Sequence, residues 1–376
     1  MRNRGIRLVT LAAFLTLLLV SGVLPKAASP VAARVADMPP LRALMHGPPY
    51  NIVLSNSYIG NTWRVEMVNE FKASCQMPPY KAVIKCSNYN ATNTVSVQTQ
   101  QMNNIISSRP DAIILNAAST TGLNGVVAKA CQAGILVVSF DAVVTAPCAL
   151  KVNTDQIAFG RTLASFLVKQ LNGKGNVIMV TGLAGTSVDT DRNTGADQVF
   201  AANLGIKVVA RYSGKWDSGE AQRATAAQLP SLGKVDGVWA QGGTDGVIRA
   251  LLAAHRPFPI PVAGEAENGF RQYMLQYKSK GFKALSIGQP PYLVVVSLAL
   301  AVQVLQGKHA RKDITIPFPS VTSETVKEGL TTFKNLPANY FVDFTDSGPN
   351  ATVILCSDAP RLGKPCPGAL TVRLPK

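Results

Sequence analysis

Histidine is scarce in this chain, with only His46, His255 and His309 among 376 residues. Ser-His-Asp and Cys-His catalysis both require a histidine beside the nucleophile, and all three lie far from the turns that end the predicted strands. We interpret each one as an exposed loop residue. The sequence also contains no CxxC pair, so neither histidine-based catalysis nor a metal site is predicted.

Phosphate-binding loops are absent as well, because neither GxGxxG nor GxxxxGK followed by Ser or Thr occurs. The segment TGLAGTSVDTDR, residues 181–192, places glycines after a predicted strand but matches neither spacing. We interpret these glycines as residues that let the backbone turn tightly at a sheet edge. No nucleotide or other cofactor is therefore predicted.

Acidic residues are few, with 21 Asp and Glu against 37 Lys and Arg and a net charge of +16. The first 33 residues hold four basic and no acidic side chains, so their removal leaves +12. The Lys and Arg residues are scattered rather than clustered, which argues against a nucleic-acid partner. We interpret the charge as favouring solubility and attraction to an anionic envelope.

The N-terminus, MRNRGIRLVTLAAFLTLLLVSGVLP, joins three arginines to an apolar run and then to small residues, which is the layout of a secretory signal. We predict a signal peptide over residues 1–33, cleaved after Ala33, and export to the periplasm. A retained membrane anchor is the alternative. No later run approaches the ~20 apolar residues that span a bilayer.

The six cysteines make an even number in an oxidising compartment and permit three disulfides in fifteen combinations. Sequence alone does not choose among them. Pairing of neighbours along the chain is the simplest hypothesis. Cys356 with Cys366 is its best candidate, because these two flank a loop that contains Pro and Gly.

Short apolar runs alternate with longer amphipathic stretches along the chain. Such alternation indicates parallel sheets, and continuously apolar runs indicate strands covered on both faces. The 343 residues after the signal are more than a single hydrophobic core usually serves, so two domains are expected. The predicted fold class is therefore α/β with two doubly wound parallel-sheet lobes, and a closed barrel is the alternative. The runs are YNIVLSN, YKAVIKC, DAIILN, ILVVSF, NVIMVT, IKVVAR, DGVWAQ, IPVAG and ALSIGQ.

The sequence contains an internal repeat, in which two segments follow the same pattern of strand, turn, helix and strand. The segment DAIILNAASTTGLNGVVAKACQAGILVVSFD ends in Asp141, and DGVWAQGGTDGVIRALLAAHRPFPIPVAGE, of nearly equal length, ends in Glu265. If the two sheet edges face each other, the carboxylates of Asp141 and Glu265 both point into the cleft between them. Because glycosidases use paired carboxylates, Asp141 with Glu265 or Glu267 keeps a secreted glycan-processing enzyme as the alternative function.

Polar and aromatic side chains collect after the predicted strands. Planar Asn, Gln, Asp, Glu and Arg groups can each contact two adjacent hydroxyls, and indole rings offer apolar faces to C–H surfaces. This combination predicts carbohydrate recognition. Each residue also has an ordinary explanation as a core Trp, a helix cap or a solvated Arg, but their joint placement in both halves favours a binding cleft. The predicted ligand-binding residues are Asn61, Trp63, Asp141, Arg192, Trp216, Gln241, Asp245, Glu265, Glu267 and Gln289.

Seven segments resemble, in content and in order, the periplasmic sugar-binding proteins of ATP-binding-cassette importers, in the ribose-binding-protein-like type I group. The resemblance covers roughly residues 50 to 330 and implies a monomeric, non-enzymatic clamp of two lobes with three hinge crossings. Such a clamp closes on a sugar and delivers it to a membrane permease. Sugar-sensing repressors share the fold, but here a predicted signal peptide stands where their DNA-binding headpiece would be. The segments are SNSYIGNTWR, DAIILNAAS, VVSFD, NTDQIAFGR, GLAGTSVDTDRNTG, GVWAQGGTDGVIRAL and SIGQPPYLVVVSLALAVQVLQGK.

The resemblance also implies roles for individual residues. Asn61 and Trp63 are similar to the polar and aromatic residues of the family's first ligand loop, and Asp141 to its acceptor carboxylate. By the same resemblance the cross-cleft arginine is Arg192, the second stacking aromatic is Trp216, and the hinge glutamine is Gln289.

Two departures from the family pattern weigh against ribose itself. Ala142 stands where ribose binders carry an arginine, and Gly242 where an asparagine is usual. The resemblance leaves open whether Glu265 or Glu267 faces the ligand.

The resemblance implies lobe limits and contacts. The N-terminal lobe takes 48–153 and 290–316, the C-terminal lobe takes 154–289 and 317–345, and 346–376 form a disulfide-tied tail. We expect the lobes to close on ligand and Trp63 to be partly exposed at the inter-lobe face. Asp141 and Arg192, on opposite lobes, should bond the same ligand rather than each other. Asp189 is unmatched to a ligand position, and its removal should be nearly silent.

Overall fold

The computed structural model describes residues 41–342 and Val372. The predicted signal peptide and its cleavage site lie outside the described residues. So do the predicted Cys356–Cys366 pair and, apart from Val372, the predicted tail.

Twelve strands and nine α-helices form within the described residues, and each of the nine predicted apolar runs contains part of a strand. The three unpredicted strands have the sequences LKVN, DIT and SVT, which contain no continuous apolar run. The strands are β1 (Tyr50–Asn56), β2 (Ile84–Asn90), β3 (Ala112–Asn116), β4 (Leu136–Phe140), β5 (Leu150–Asn153), β6 (Gly175–Thr181), β7 (Ile206–Ser213), β8 (Gly237–Ala240), β9 (Val262–Glu265), β10 (Ala284–Ile287), β11 (Asp313–Thr315) and β12 (Ser320–Thr322). The helices are α1 (Thr62–Gln76), α2 (Val95–Ser107), α3 (Asn124–Gln132), α4 (Gln156–Gln170), α5 (Ser187–Ala201), α6 (Ser218–Gln228), α7 (Thr244–Ala253), α8 (Asn268–Gln276) and α9 (Leu293–Leu305).

The strands form two six-stranded sheets with the same spatial arrangement. The first sheet has the order β2-β1-β3-β4-β5-β11, and the second has the order β7-β6-β8-β9-β10-β12. Neighbouring strands are parallel except that β12 runs antiparallel to β10. Strands β4 and β9 hold equivalent places, so Asp141 and Glu265 stand at equivalent strand ends. The structure thus accounts for the internal repeat and confirms the two parallel-sheet α/β lobes.

The chain crosses three times between the two sheets. It passes from β5 to α4, returns from β10 to α9, and leaves again from β11 to β12. We call the parts built on the first and second sheets the first and second lobes. Their exact limits in the chain stay a prediction.

Helices cover both faces of each sheet, as the continuously apolar strands require. In β1, Ile52 and Leu54 pack with α1 and α9, whereas Val53 points to the opposite face and packs with α2 and α3. In the second sheet, residues of α7 and α8 pack on one face and residues of α4 and α5 on the other. Alternate side chains of each strand therefore enter different clusters.

Helix α9 is apolar on nearly every side, and 12 of its 13 residues are buried. A helix without a polar face must be enclosed by protein, and α9 packs against β3, β4, β5 and α1. None of the described helices is both long and apolar enough to cross a membrane.

Two disulfides join chain neighbours in the first lobe. Cys75 of α1 pairs with Cys86 of β2, and Cys131 of α3 pairs with Cys148. The neighbour-pairing hypothesis is confirmed for these four cysteines.

Candidate functional site

A cavity lies between the carboxyl ends of the two sheets, where open α/β sheets bind ligands. The cavity is narrow, with a volume of about 30 Å³, which is room for about one or two water molecules. Both lobes contribute to its walls. The lining residues are Tyr58, Asn61, Trp63, Arg64, Asp141, Val188, Arg192, Trp216, Glu265 and Phe341.

Six of the ten predicted ligand-binding residues line this cavity, and the other four do not. Tyr58, Arg64, Val188 and Phe341 were missed by sequence reasoning. The six that line it are Asn61, Trp63, Asp141, Arg192, Trp216 and Glu265.

Asn61 fixes the start of α1 beside the cavity. As the N-cap residue, its Oδ1 accepts a hydrogen bond from the Arg64 backbone N–H at 3.0 Å, which satisfies one of the unpaired donors of the first helical turn. Its Nδ2 donates to the Tyr58 hydroxyl at 3.1 Å. Its amide is therefore already engaged on both sides by the protein.

Trp63 is more enclosed than expected. Its exposure is 6%, and it belongs to the apolar cluster of the first lobe while also lining the cavity. The expectation of partial exposure is wrong, because the indole Nε1 donates to the Gln289 carbonyl at 2.6 Å and the ring packs beneath the cavity. Trp63 is both a core residue and part of the cavity wall.

Arg64 is the main residue that sequence reasoning missed, although it ends the quoted segment SNSYIGNTWR. It is 4% exposed, its Nη2 lies 3.4 Å from Asp141 Oδ2, and its Nη1 donates to Asn56 Oδ1 at 2.9 Å. Its guanidinium also stacks 4.7 Å from the Tyr58 ring centroid. Ala142 provides no guanidinium group beside Asp141, and Arg64 of α1 provides one instead.

Asp141 sits in the turn after β4 with a left-handed φ of 56°. Its Oδ1 accepts from Gln289 Nε2 at 2.8 Å, and its Oδ2 accepts from Asn116 Nδ2 at 2.9 Å. With Arg64, three donors therefore orient this carboxylate toward the cavity.

Arg192 and Glu265 form the corresponding pair in the second lobe. Nη1 and Nη2 of Arg192 each lie 3.2 Å from a Glu265 oxygen, the bidentate geometry favoured by guanidinium and carboxylate. Nε donates to Gln156, and the guanidinium lies 3.8 Å from the Phe159 ring centroid. Burial raises the pKa of Glu265, and Arg192 offsets part of that rise.

Trp216 is half-buried and stands in a left-handed turn after β7, with φ 57°. Its Nε1 donates to Gln241 Oε1 at 3.1 Å. Glycines make room for the ring, because a Cβ at Gly182 would lie 2.1 Å from it and one at Gly242 would lie 2.8 Å from it. Gly242, a departure from the family pattern, is therefore required by the placement of this indole.

Four predicted residues lie behind the cavity wall. Gln241 bonds Asp189, Trp216 and Arg192, while Gln289 bonds Asp141 at a crossing between the lobes. Asp245 pairs with Arg249 on α7, and Glu267 precedes α8 and accepts from the Gly243 N–H. Of the two glutamates left open by the sequence, only Glu265 lines the cavity.

Asp189 is part of the support behind the wall. Its carboxylate is 7% exposed and accepts from the Gly182 N–H at 2.7 Å and from Gln241 Nε2 at 2.8 Å. Burial raises the pKa of Asp189. Removal of the Asp189 side chain would therefore leave the Gly182 N–H and Gln241 Nε2 without this acceptor, so there is no longer a reason to expect a silent substitution.

The charges of the cavity wall balance, with two guanidinium groups against two carboxylates, and two indoles complete it. A neutral ligand with several hydroxyls and an apolar face satisfies such groups, because hydroxyls both donate and accept. Within the described ranges, no group of three His, Cys, Asp or Glu side chains could hold a metal ion.

Comparisons with known proteins agree with this geometry. A family model described as a periplasmic binding protein domain matches residues 52–309. The xylitol-binding protein of Mycolicibacterium smegmatis is 30% identical over 241 residues, covering 63% of this chain and 68% of that protein. A solved ABC transporter solute binding protein from Thermobispora bispora has a TM-score of 0.65 and 30% identity, covering 72% of this chain and 84% of that one. Another, from Bacillus halodurans with bound myo-inositol, has a TM-score of 0.65 and 26% identity, covering 74% and 96%.

Proposed function

The chain belongs to the periplasmic binding protein family, and from that premise we propose that it captures a neutral sugar or sugar-like polyol between its lobes. The observation that carries the proposal is the single cavity lined by Asp141 of the first lobe and by Arg192 and Glu265 of the second. Xylitol and myo-inositol, named for two similar proteins, are polyols without charge.

We propose Asn61, Trp63, Arg64, Asp141 and Trp216 as ligand contacts, together with Arg192 and Glu265. The balanced charges of the wall support a neutral ligand, since an anionic sugar acid would need a further donor. The cavity is so narrow that the lobes must move apart to admit a monosaccharide or a polyol of similar size. Gln241 and Gln289 are proposed as supports, and Asp245 and Glu267 as structural residues.

The remaining parts of the proposal follow the family. The protein is exported, works in the periplasm as a monomer, and delivers its ligand to the permease of an ATP-binding-cassette importer. Because both lobes contact the same ligand, binding favours the closed arrangement by its differential contacts. The proposed lobe limits are 48–153 with 290–316, and 154–289 with 317–345.

A thermal-shift screen tests the proposal. The panel contains xylitol, myo-inositol, D-ribose, D-fructose and D-glucuronate, and a ligand that binds only the folded state must raise the Tm. We expect reversible stabilisation by a neutral member, no effect of the anionic glucuronate, and compaction in small-angle scattering at saturation. Stabilisation by glucuronate alone, or by no member, contradicts the proposal.

The enzyme alternative finds no support in the comparisons, and both cavity carboxylates are bonded by arginines. The same screen addresses turnover, because product analysis by mass spectrometry after incubation with glycosides would detect it. We expect no product.

A further inference from the structure

Residues 333–342, which we call the strap, run between the N-termini of α1 and α8 and lie beyond the family match that ends at residue 309. The strap therefore falls outside the residues that the family model matches. Its position relative to the two lobes is nonetheless specific.

The strap is bound firmly to the second lobe. The buried Asn268 side chain donates to the carbonyls of Phe333 and Leu336, at 2.8 and 3.0 Å, and accepts from the Phe333 N–H at 2.9 Å. The backbone N–H of Asn268 donates to the Tyr340 carbonyl at 2.7 Å, and that of Gly269 donates to the Ala338 carbonyl at 2.7 Å.

The strap also contacts the first lobe, through hydrogen bonds and through apolar side chains. The Phe341 N–H donates to Glu66 Oε1 at 3.0 Å, and Asn339 Nδ2 donates to Thr62 Oγ1 at 2.7 Å. Glu66 is 6% exposed, so its bond to Phe341 is shielded from water.

Phe341 reaches the ligand cavity from the strap. Its side chain is 3% exposed, lines the cavity, and belongs to the same apolar cluster as Trp63 and Met67 of α1. Separation of the lobes must break either the contacts with α1 or those with α8. The buried apolar side chains of the strap join the cluster of the first lobe. Its backbone, however, is hydrogen-bonded to α8, and the chain enters the strap from β12 of the second lobe. We therefore take the contacts with α1 as the side that parts.

We propose that the strap is a latch: it moves with the second lobe, closes the cavity with Phe341, and must release Glu66 and Thr62 before ligand can enter or leave. The ligand-exchange part rests on the proposed function. The latch itself is a property of the chain without ligand. Each part therefore has its own measurement.

Hydrogen exchange on the ligand-free protein tests the latch. In Glu66→Gln the side chain keeps an acceptor but loses its charge, and a charged acceptor makes the stronger hydrogen bond. We expect the Phe341 amide to exchange at least about fivefold faster than in wild type, and the Asn268 and Gly269 amides to change less than twofold. Glu324→Gln, at an exposed site on the second lobe, is the control and should leave all three rates unchanged. Equal acceleration of all three amides in Glu66→Gln, or of none, overturns the latch.

Crosslinking tests whether the strap controls the entry and release of ligand. Thr62→Cys with Asn339→Cys places two thiols where the native side chains touch, and a short bis-methanethiosulfonate joins them. Xylitol is the first probe, replaced by the panel member that gives the largest Tm shift for wild type. We expect the crosslinked protein to release bound probe at least tenfold more slowly than either single-cysteine variant given the same reagent. Release at the same rate overturns the role in exchange, whereas failure of wild type to bind any panel member overturns the proposed function and leaves the amide measurement standing.

Discussion

The guanidinium of Arg192 and the carboxylate of Glu265 form a bidentate ion pair, with Nη1 and Nη2 each 3.2 Å from a carboxylate oxygen. Both side chains are almost fully buried. The pair occupies donors and acceptors that sequence reasoning assigned to the ligand. Its loss must therefore affect folding as well as binding.

Removing one member of this pair should destabilise the protein strongly. Arg192→Met or Glu265→Leu alone leaves a buried charge without its partner, and we expect a loss of about 3–5 kcal/mol in the free energy of unfolding. The double variant should lose much less than the sum, because apolar residues replace both charges. Urea denaturation of the four proteins measures the coupling.

The exposed pair Arg223–Glu220 is the control for this cycle, with side chains 69% and 39% exposed. Its coupling should stay below ~1 kcal/mol, as for other surface pairs. Additive losses at Arg192 and Glu265 would show that the buried pair contributes no more than the exposed one.

Arg64 should matter for binding as much as Asp141 does. Removing either side chain leaves the other without its charged partner in an enclosed site, so we expect Arg64→Ala and Asp141→Ala each to weaken binding by about 2–4 kcal/mol, roughly thirty- to a thousand-fold. Calorimetric titration with the panel member that stabilises wild type most provides the measurement. Arg223→Ala, on an exposed helix face, should bind like wild type. Wild-type affinity in a folded Arg64→Ala would remove this residue from the site.

Asp189→Ala should not be silent. The substitution removes the acceptor of the Gly182 N–H and of Gln241 Nε2, and buried donors left without an acceptor cost about 1–3 kcal/mol. Because Gln241 in turn bonds Trp216 and Arg192, binding should weaken as well. Chemical denaturation and titration are both needed. Asp197→Ala, at an exposed pair with Arg211, should change neither quantity appreciably.

The fold was predictable because it depends on local patterns. Inner strands such as β3, β4 and β6 contain continuous apolar runs followed by polar or turn residues. Asp141 and Glu265 could be placed because each directly follows or ends an apolar run. Strands β5, β11 and β12 were not predicted, since their sequences LKVN, DIT and SVT contain no continuous apolar run.

The cavity wall was only partly predictable, because side-chain direction and distant contacts decide it. Arg64 lies inside α1, where an arginine ordinarily points to solvent. Phe341 is brought to the cavity by the strap, and no local pattern connects it with Asp141. Glu267 lies two residues beyond Glu265, but its side chain accepts from the Gly243 N–H instead of facing the cavity. These outcomes follow from tertiary packing and not from spacing along the chain.

Glu267 should make stability depend on pH. Burial and the nearby carboxylates of Glu265 and Asp245 raise the pKa of Glu267 to about 8, whereas an unfolded glutamate has a pKa of ~4.3. The folded state therefore holds a proton that the unfolded state releases, so the free energy of unfolding falls as pH rises between ~4.3 and about 8.

Glu267→Gln should remove this contribution while keeping an acceptor for the Gly243 N–H. We expect the variant to be more stable than wild type at pH 8, by roughly 1–3 kcal/mol, and the difference to shrink toward pH 5. Urea denaturation across this range provides the measurement. An advantage that is constant with pH would show that Glu267 does not titrate in this window.

Two glycines allow α4 and α5 to approach closely enough to position Arg192. A Cβ at Gly160 would lie 1.9 Å from the Arg192 carbonyl oxygen, and one at Gly195 would lie 2.0 Å from the Ile157 carbonyl oxygen. Both obstacles are backbone atoms, so Gly160→Ala must push the helices apart. We expect a loss of about 1–3 kcal/mol in stability from overpacking, together with weaker ligand binding because the Arg192 backbone is displaced.

Gly125→Ala is the matched control, since Gly125 is also helical but a Cβ there meets nothing within 4 Å. Alanine is the better helix former by about 0.5–1 kcal/mol, so this variant should be slightly more stable than wild type and bind normally. Opposite signs of the two stability changes, measured by urea denaturation, are the expected result. If Gly160→Ala also stabilised the protein, the close contact between α4 and α5 would not be what holds Arg192 against Glu265.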